Sequence, residues 1–296
     1  MQLDPLDQQP RDPEPVGHRE FPLCSEPKGT DTEKPMKKLL PAIALAAIVY
    51  CPAPVFAYEL GSASWGLPDV VTKWGSSTLG SGATVTWSLV PAGVDCSFAF
   101  GGGACSTAAL SDFMPSDFEL QIQHALDAWA TVANLTFLKI PDDGAATGTS
   151  TTSGDVRFGA RSFAGTGFDG VDGISFYPPS YYTPPGGGDV INLTSDTQAG
   201  DVFFNSDAGP AFSGLAYLFS LAAHEAGHAL GLAHGNVPGS LMNAGVVVGI
   251  APQADDIAGM QFLYGAPVQA VPEPSMFVMY GLGVAVLSMR RRSVKT

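Results

Sequence analysis

The chain is short of charge, of basic residues, of cysteine and of long apolar runs. Charged residues make up 14% of its 296 positions, about half the usual share, which excludes a coiled coil or other long-helix protein. Bases are scarcer still: residues 58–270 carry 19 acidic side chains against Lys73, Lys139, Arg157 and Arg161 alone. A surface so negative repels phosphate backbones, which excludes nucleic acid as a partner and suits an exported protein, one that could associate with calcium. The two longest apolar runs, Leu39–Tyr50 and Met276–Met289, fall short of the roughly 20 residues that cross a bilayer comfortably. No internal repeat is visible. What is abundant is glycine (35) and proline (24), the residues of turns and loops.

The ends of the chain read as addresses. Residues 1–35 are polar and Pro-rich, without apolar period; they are either a non-native upstream extension or a disordered one. Met36-Lys37-Lys38 then opens a secretory pattern: a short basic region, the apolar run to Tyr50, and Val55-Phe56-Ala57 with small residues at the cleavage positions. Residues 36–57 are therefore expected to be a signal peptide. At the other end Val271-Pro272-Glu273-Pro274-Ser275 precedes an apolar helix and Arg290-Arg291-Arg292. That order resembles the PEP-CTERM sorting signal of Gram-negative bacteria. The resemblance implies an exosortase-type processing enzyme as a partner, membrane contact only through the helix of residues 271–296, and a cell-surface, exopolysaccharide-associated or secreted location. An ordinary C-terminal anchor is the other reading of the same residues. Both place residues 58–270, the expected folded domain, outside the cytoplasm.

Of four cysteines, Cys24 and Cys51 lie in these end segments, leaving Cys96 and Cys105 around a Gly-rich loop. Two cysteines left in an exported protein are expected to form one disulfide. Between the ends, Ala83–Leu89 alternates as a first strand. From Pro115 the period becomes helical, with Ser116 and Glu119 in capping-box spacing and an apolar stripe through Ile122, Ala125, Leu126 and Trp129 that leaves His124 outside it. Strands are expected at 135–140, 155–163, 190–193 and 201–205, with 164–188 read as loop from its composition.

Residues 221–235 read LAAHEAGHALGLAHG. Ser213–Leu230 is apolar and Ala-rich, hence a buried helix, so His224 and His228 share one face a turn apart. Gly231 can adopt the left-handed conformation that ends the helix and returns the chain, bringing His234 to the same point. Three imidazoles with an open fourth position describe catalytic rather than structural zinc. Glu225 projects from a neighbouring direction, where it can reach a water on the metal. Histidines that merely pack in a buried helix would lack partners, which makes that reading poor.

The pattern His224, Glu225, His228, Gly231, His234 is the zinc signature HExxHxxGxxH of the metzincins, and the chain resembles the matrixins in particular. Met242 follows in Ser240-Leu241-Met242 where the family has its Met-turn. Gly200–Asn205 is similar to the strand before the active-site helix, and Asp255–Gly265 to the closing helix. The resemblance implies an α+β zincin fold: a twisted, mostly parallel five-stranded sheet, long helices including the active-site helix, and a small C-terminal subdomain after Gly231. It implies a zinc-dependent endopeptidase acting on proteins or peptides, with Glu225 as general base to a zinc-activated water. A surface or matrix interaction protein keeping the fold without peptidase activity is the alternative, and a hydrolase of exopolysaccharide a third. Only His18 and His124 remain outside the triad, too few for the family's second zinc, and Trp65 stands where an inhibitory cysteine would. Asp169, Asp172, Asp189, Asp196 and Asp201 sit in Gly-rich surroundings and are either calcium ligands or simply solvated. Substrate is expected to pair with an edge strand within 190–205, and 237–250 to wall an apolar specificity pocket.

Overall fold

The computed structural model describes residues 57–61, 69–149, 151–185, 189–193, 198–245 and 248–268. Residues 1–35, all of the expected signal peptide but Ala57, the sorting tail 271–296, Trp65 and Asp196 lie outside these. In chain order the main elements are β1 Val70–Thr72, β2 Ala83–Leu89, α1 Phe118–Val132, β3 Leu135–Lys139, β4 Val156–Arg161, β5 Gly173–Ser175, β6 Ser180–Tyr182, β7 Ile191–Asn192, β8 Asp201–Asn205, α2 Leu215–Ala229 and α3 Ala254–Tyr264.

Five strands form the main sheet in the order β3-β2-β4-β8-β5. The first four run parallel and β5 closes the edge antiparallel to β8. Parallel strands are covered on both faces, and β8 shows it: all five residues are buried. Val202 and Phe204 enter the main core with Trp87, Phe158, Trp129 and Leu218. Phe203 faces the other way and packs with Phe163 and Cys96, where Cys96 and Cys105 are joined as a disulfide.

Helix α1 buries the stripe Ile122, Ala125, Leu126 and Trp129 and leaves His124 exposed. Trp129 Nε1 donates to the Ala223 carbonyl at 2.9 Å, which fastens α1 to α2. The expected capping box at Ser116 is not formed: Asp117 is the N-cap, without a side-chain bond. The Glu119 carboxylate that the box would have used is paired with Lys139 of β3 at 2.5 Å.

Two other expectations are corrected. Ala83–Leu89 is not the first strand, since β1 precedes it. Residues 164–188 are not all loop, since they contain β5 and β6. Strands of three residues show too little alternation to be read among glycines and prolines. The 190–193 strand shrinks to β7, which belongs to a separate small sheet β1-β6-β7. Strand β8 is interior to the main sheet, whereas β7 is an edge of the small one; the edges of the main sheet are β3 and β5, and β5 is the one that packs beside α2.

The end of α2 is held by distant residues. Trp74 Nε1 donates to the Ala229 carbonyl at 2.8 Å and the Tyr264 hydroxyl to that of Leu230 at 2.9 Å, satisfying oxygens that a helix terminus leaves free. Gly231 follows at φ 111°, and a Cβ there would meet the Thr72 carbonyl oxygen at 2.4 Å. Only glycine fits. The chain turns back and is strapped from outside: Gly61 N donates to Gly231 O at 2.8 Å and Ala233 N to Glu59 O at 2.9 Å.

Candidate metal centre

Helix α2 is buried from Ser220 to Ala229, which gives His224 and His228 fixed surroundings. Each ring is oriented through its Nδ1: that of His224 lies 2.7 Å from the Leu241 carbonyl, and that of His228 2.7 Å from the Leu232 carbonyl. Carbonyls only accept, so both rings carry their proton on Nδ1 and present Nε2 as a bare lone pair. The turn at Gly231 delivers His234, whose Nε2 lies 3.1 Å from Nε2 of His224 and 3.2 Å from Nε2 of His228.

Burial holds the rings neutral. It lowers His224 to about 4 and His228 to about 3, the neighbouring imidazoles adding to the effect, and it also lowers His234. Neutral imidazole is the ligating form. Three ring nitrogens converging this closely can share one cation. A tetrahedral zinc shell at about 2.0–2.1 Å spaces its ligands about 3.3–3.4 Å apart, within a few tenths of an ångström of the two distances from His234. Among the described residues this triad is the one group of three or more His, Cys, Asp or Glu side chains close enough to share an ion.

Glu225 leaves the helix roughly 100° from His224 and turns toward β5, where the Ser175 hydroxyl lies 2.6 Å from its Oε2 and 2.9 Å from its main-chain oxygen. Burial pushes its carboxyl up to about 7, against the pull of the serine hydrogen bond. The Tyr177 ring stands edge-on to His228 at 6.0 Å. These residues line an open cleft of about 570 Å³, whose apolar walls are Phe168, Ile174, Tyr217 and Leu221. Of the wall expected from 237–250, Gly245 lines the cleft among the described residues of that stretch, while Val248 is 58% exposed.

Beneath the triad, Met242 is buried, and its Sδ lies 2.4 Å from where a Cβ on Gly227 would stand. The turn that carries it is held by Asp256 of α3, which accepts from Ser240 Oγ and from the main-chain N–H groups of Leu241, Met242 and Gln253. Ser175, Gly173 and Asp256 have no place in the signature. Only Asp256 had a readable signal, the capping-box spacing of Gln253 and Asp256, which is formed.

Among the described residues, the aspartates proposed for calcium are not gathered into one ion-sized group. Asp169 accepts from Gly165 N at 2.8 Å within its own loop, Asp172 accepts the Tyr217 hydroxyl, and Asp189 is exposed. Asp201 differs from these. It is 3% exposed, its Oδ2 has no hydrogen-bond partner, and burial raises its carboxyl to about 7. It lines a polar cavity of about 350 Å³ with Asp155, Arg157 and Tyr181.

A mostly parallel sheet backed by helices, with three convergent imidazoles and a glutamate beside them, defines a zincin of the metzincin type. The matrixin family model matches residues 106–265, and the chain belongs to the matrixin family. It is 33% identical over 207 residues to the hatching enzyme of Paracentrotus lividus, covering 68% of this chain and 29% of that protein. It is 34% identical to matrix metalloproteinase-18 of Xenopus laevis over 167 residues, 53% of this chain and 32% of the relative. It is likewise 34% identical to the macrophage metalloelastase of Oryctolagus cuniculus over 173 residues, 55% and 32%. The chain thus spans less than a third of the length of these relatives.

Proposed function

We propose that the protein is an exported zinc-dependent endopeptidase. The observation that carries this reading is the convergence of three imidazole Nε2 atoms beside a buried glutamate at the β5 edge of the sheet. His224, His228 and His234 would hold the ion through Nε2, and zinc so held supplies a Lewis acid for a carbonyl and for water. The chain's own residues do the rest. An extended peptide adds to β5 by main-chain pairing, with the scissile carbonyl over the triad. A water beside the Glu225 carboxylate gives it a proton while adding to the carbonyl carbon. Glu225 then passes that proton to the departing amine nitrogen as the C–N bond breaks. Tyr217, Leu221 and Ile174 favour apolar substrate side chains, in keeping with a relative named a metalloelastase. The segment after Gly231, through the Met242 turn to α3, forms the small lower subdomain that supplies His234.

The export reading rests on the signal-like residues 36–57 and the Pro-Glu-Pro tail 271–296, processed by an exosortase-type enzyme to leave 58–270 at the surface of a Gram-negative cell. For calcium, Asp155 and Asp201 line one polar cavity beside Arg157, and that pair of carboxylates supports one cation there.

The test is casein hydrolysis by the exported protein with and without a zinc chelator, alongside His228→Ala. Cleavage that the chelator abolishes, zinc restores and the variant lacks fits the proposal. Zinc-loaded protein that leaves casein and an apolar peptide library uncut overturns it in favour of an interaction module.

A further inference from the structure

Edge strand β5 touches the catalytic helix through two residues of one face. Gly173 and Ser175, two apart, turn toward α2, while Ile174 between them packs with the outer cluster around Phe203. A Cβ on Gly173 would lie 2.8 Å from Glu225 Oε1, 2.9 Å from Cγ and 3.0 Å from Cδ, so the carboxyl arm rests on a glycine floor. From the other side the Ser175 hydroxyl reaches Oε2 at 2.6 Å and the Glu225 carbonyl at 2.9 Å. Among the described residues Ser175 alone donates a hydrogen bond to this carboxylate.

We propose that Ser175 is a positioning residue for Glu225, locking the carboxylate against β5 so that Oε1 is presented to the water. The proposal rests on the peptidase reading above. A glutamate side chain free to rotate loses rotamer freedom when fixed, and a hydrogen bond to a charged group offsets that loss. The serine has one proton and two acceptors within reach. While Glu225 is ionised the proton is best placed on Oε2. When Glu225 has taken a proton from water, Oε2 is a weaker acceptor, and the hydroxyl can turn to the main-chain oxygen without the carboxyl arm moving. No proton leaves the serine in either state. The same contact ties the strand that pairs with substrate to the helix that bears the base, fixing one against the other.

Three variants, Ser175→Ala, Ser175→Thr and Glu225→Ala, test this in the exported protein. With an apolar fluorogenic peptide, Ser175→Ala is expected to lower kcat about 10- to 100-fold with KM within about twofold and one zinc per chain retained. Ser175→Thr, which keeps the hydroxyl, is expected to restore most of kcat. In metal-free protein at pH 8, Ser175→Ala is expected to lower Tm by about 2–4 °C, and to lower it no further once Glu225 is alanine. A wild-type kcat in Ser175→Ala, a change confined to KM, a threonine variant as poor as the alanine one, or an equal Tm loss in both backgrounds each overturns the proposal. A zinc-loaded wild type inert toward every peptide would overturn the peptidase reading itself. The melting cycle then reports separately whether the serine–glutamate contact exists.

Discussion

The carboxylate of Asp256 accepts the main-chain N–H of Met242 at 3.0 Å, joining the first turn of α3 to the turn beneath the histidines. The same buried carboxylate takes Ser240 Oγ at 2.8 Å and Leu241 N at 2.8 Å. Leu241 in turn orients His224 through its carbonyl. One aspartate is therefore linked, through Leu241, to a candidate metal ligand that it does not touch. Asp256→Asn puts an amide N–H against these donors and is expected to cost about 2–4 kcal/mol, a fall in Tm of roughly 5–10 °C. Zinc affinity should drop about 10- to 100-fold, as when an outer partner of a ligating histidine is lost. Melting and competition against a chelator check this, and unchanged zinc affinity would refute the link to His224.

Glu225→Gln keeps the shape of the side chain and its bond to Ser175 but cannot take a proton. Zinc content is expected to remain one per chain while kcat falls by about a thousandfold or more. Hydrolysis at the wild-type rate by the zinc-loaded variant would remove Glu225 from the mechanism.

Much of this was readable in the sequence where interactions are local. The i,i+4 spacing of His224 and His228, the stop at Gly231 and the stripe of α1 all follow from helix period and glycine conformation, and each element lies within two residues of its expected bounds. What was not readable is long-range. Ser175 meets Glu225 across 50 residues, and Trp74 reaches Ala229 across 155. No periodicity encodes such contacts. β5 is three residues among glycines, and the Ser116 capping box lost its glutamate to Lys139, a partner 20 residues away.

Gly227 is where helix propensity yields to packing. A helix interior disfavours glycine by about 1 kcal/mol against alanine, yet a Cβ here would lie 2.4 Å from Met242 Sδ and 3.0 Å from Trp129. Gly227→Ala is expected to destabilise by about 1–3 kcal/mol despite its better propensity. Adding Met242→Ala should recover part of the clash penalty, so the double variant should melt above the sum of the two single losses. Strict additivity in thermal melts would show that Gly227 is not held for Met242.

Asp201 makes a prediction about pH. Its carboxyl is raised to about 7 in the folded chain from an ordinary 3.8, so between those values the folded state holds a proton that the unfolded state has released. Its contribution to stability is fully present below about pH 4 and is lost as pH rises through 7, amounting to about 4 kcal/mol at most. Asparagine imitates the protonated acid. With a chelator present, Asp201→Asn should match the wild type at pH 4 and melt several degrees above it at pH 8. A divalent cation reverses the order, because it needs the ionised carboxylate. Millimolar calcium at pH 8 should raise the wild-type Tm and leave Asp201→Asn unmoved, by mass action on the folded state. Parallel melting curves for the two proteins across this range would mean that Asp201 neither titrates near 7 nor holds a cation.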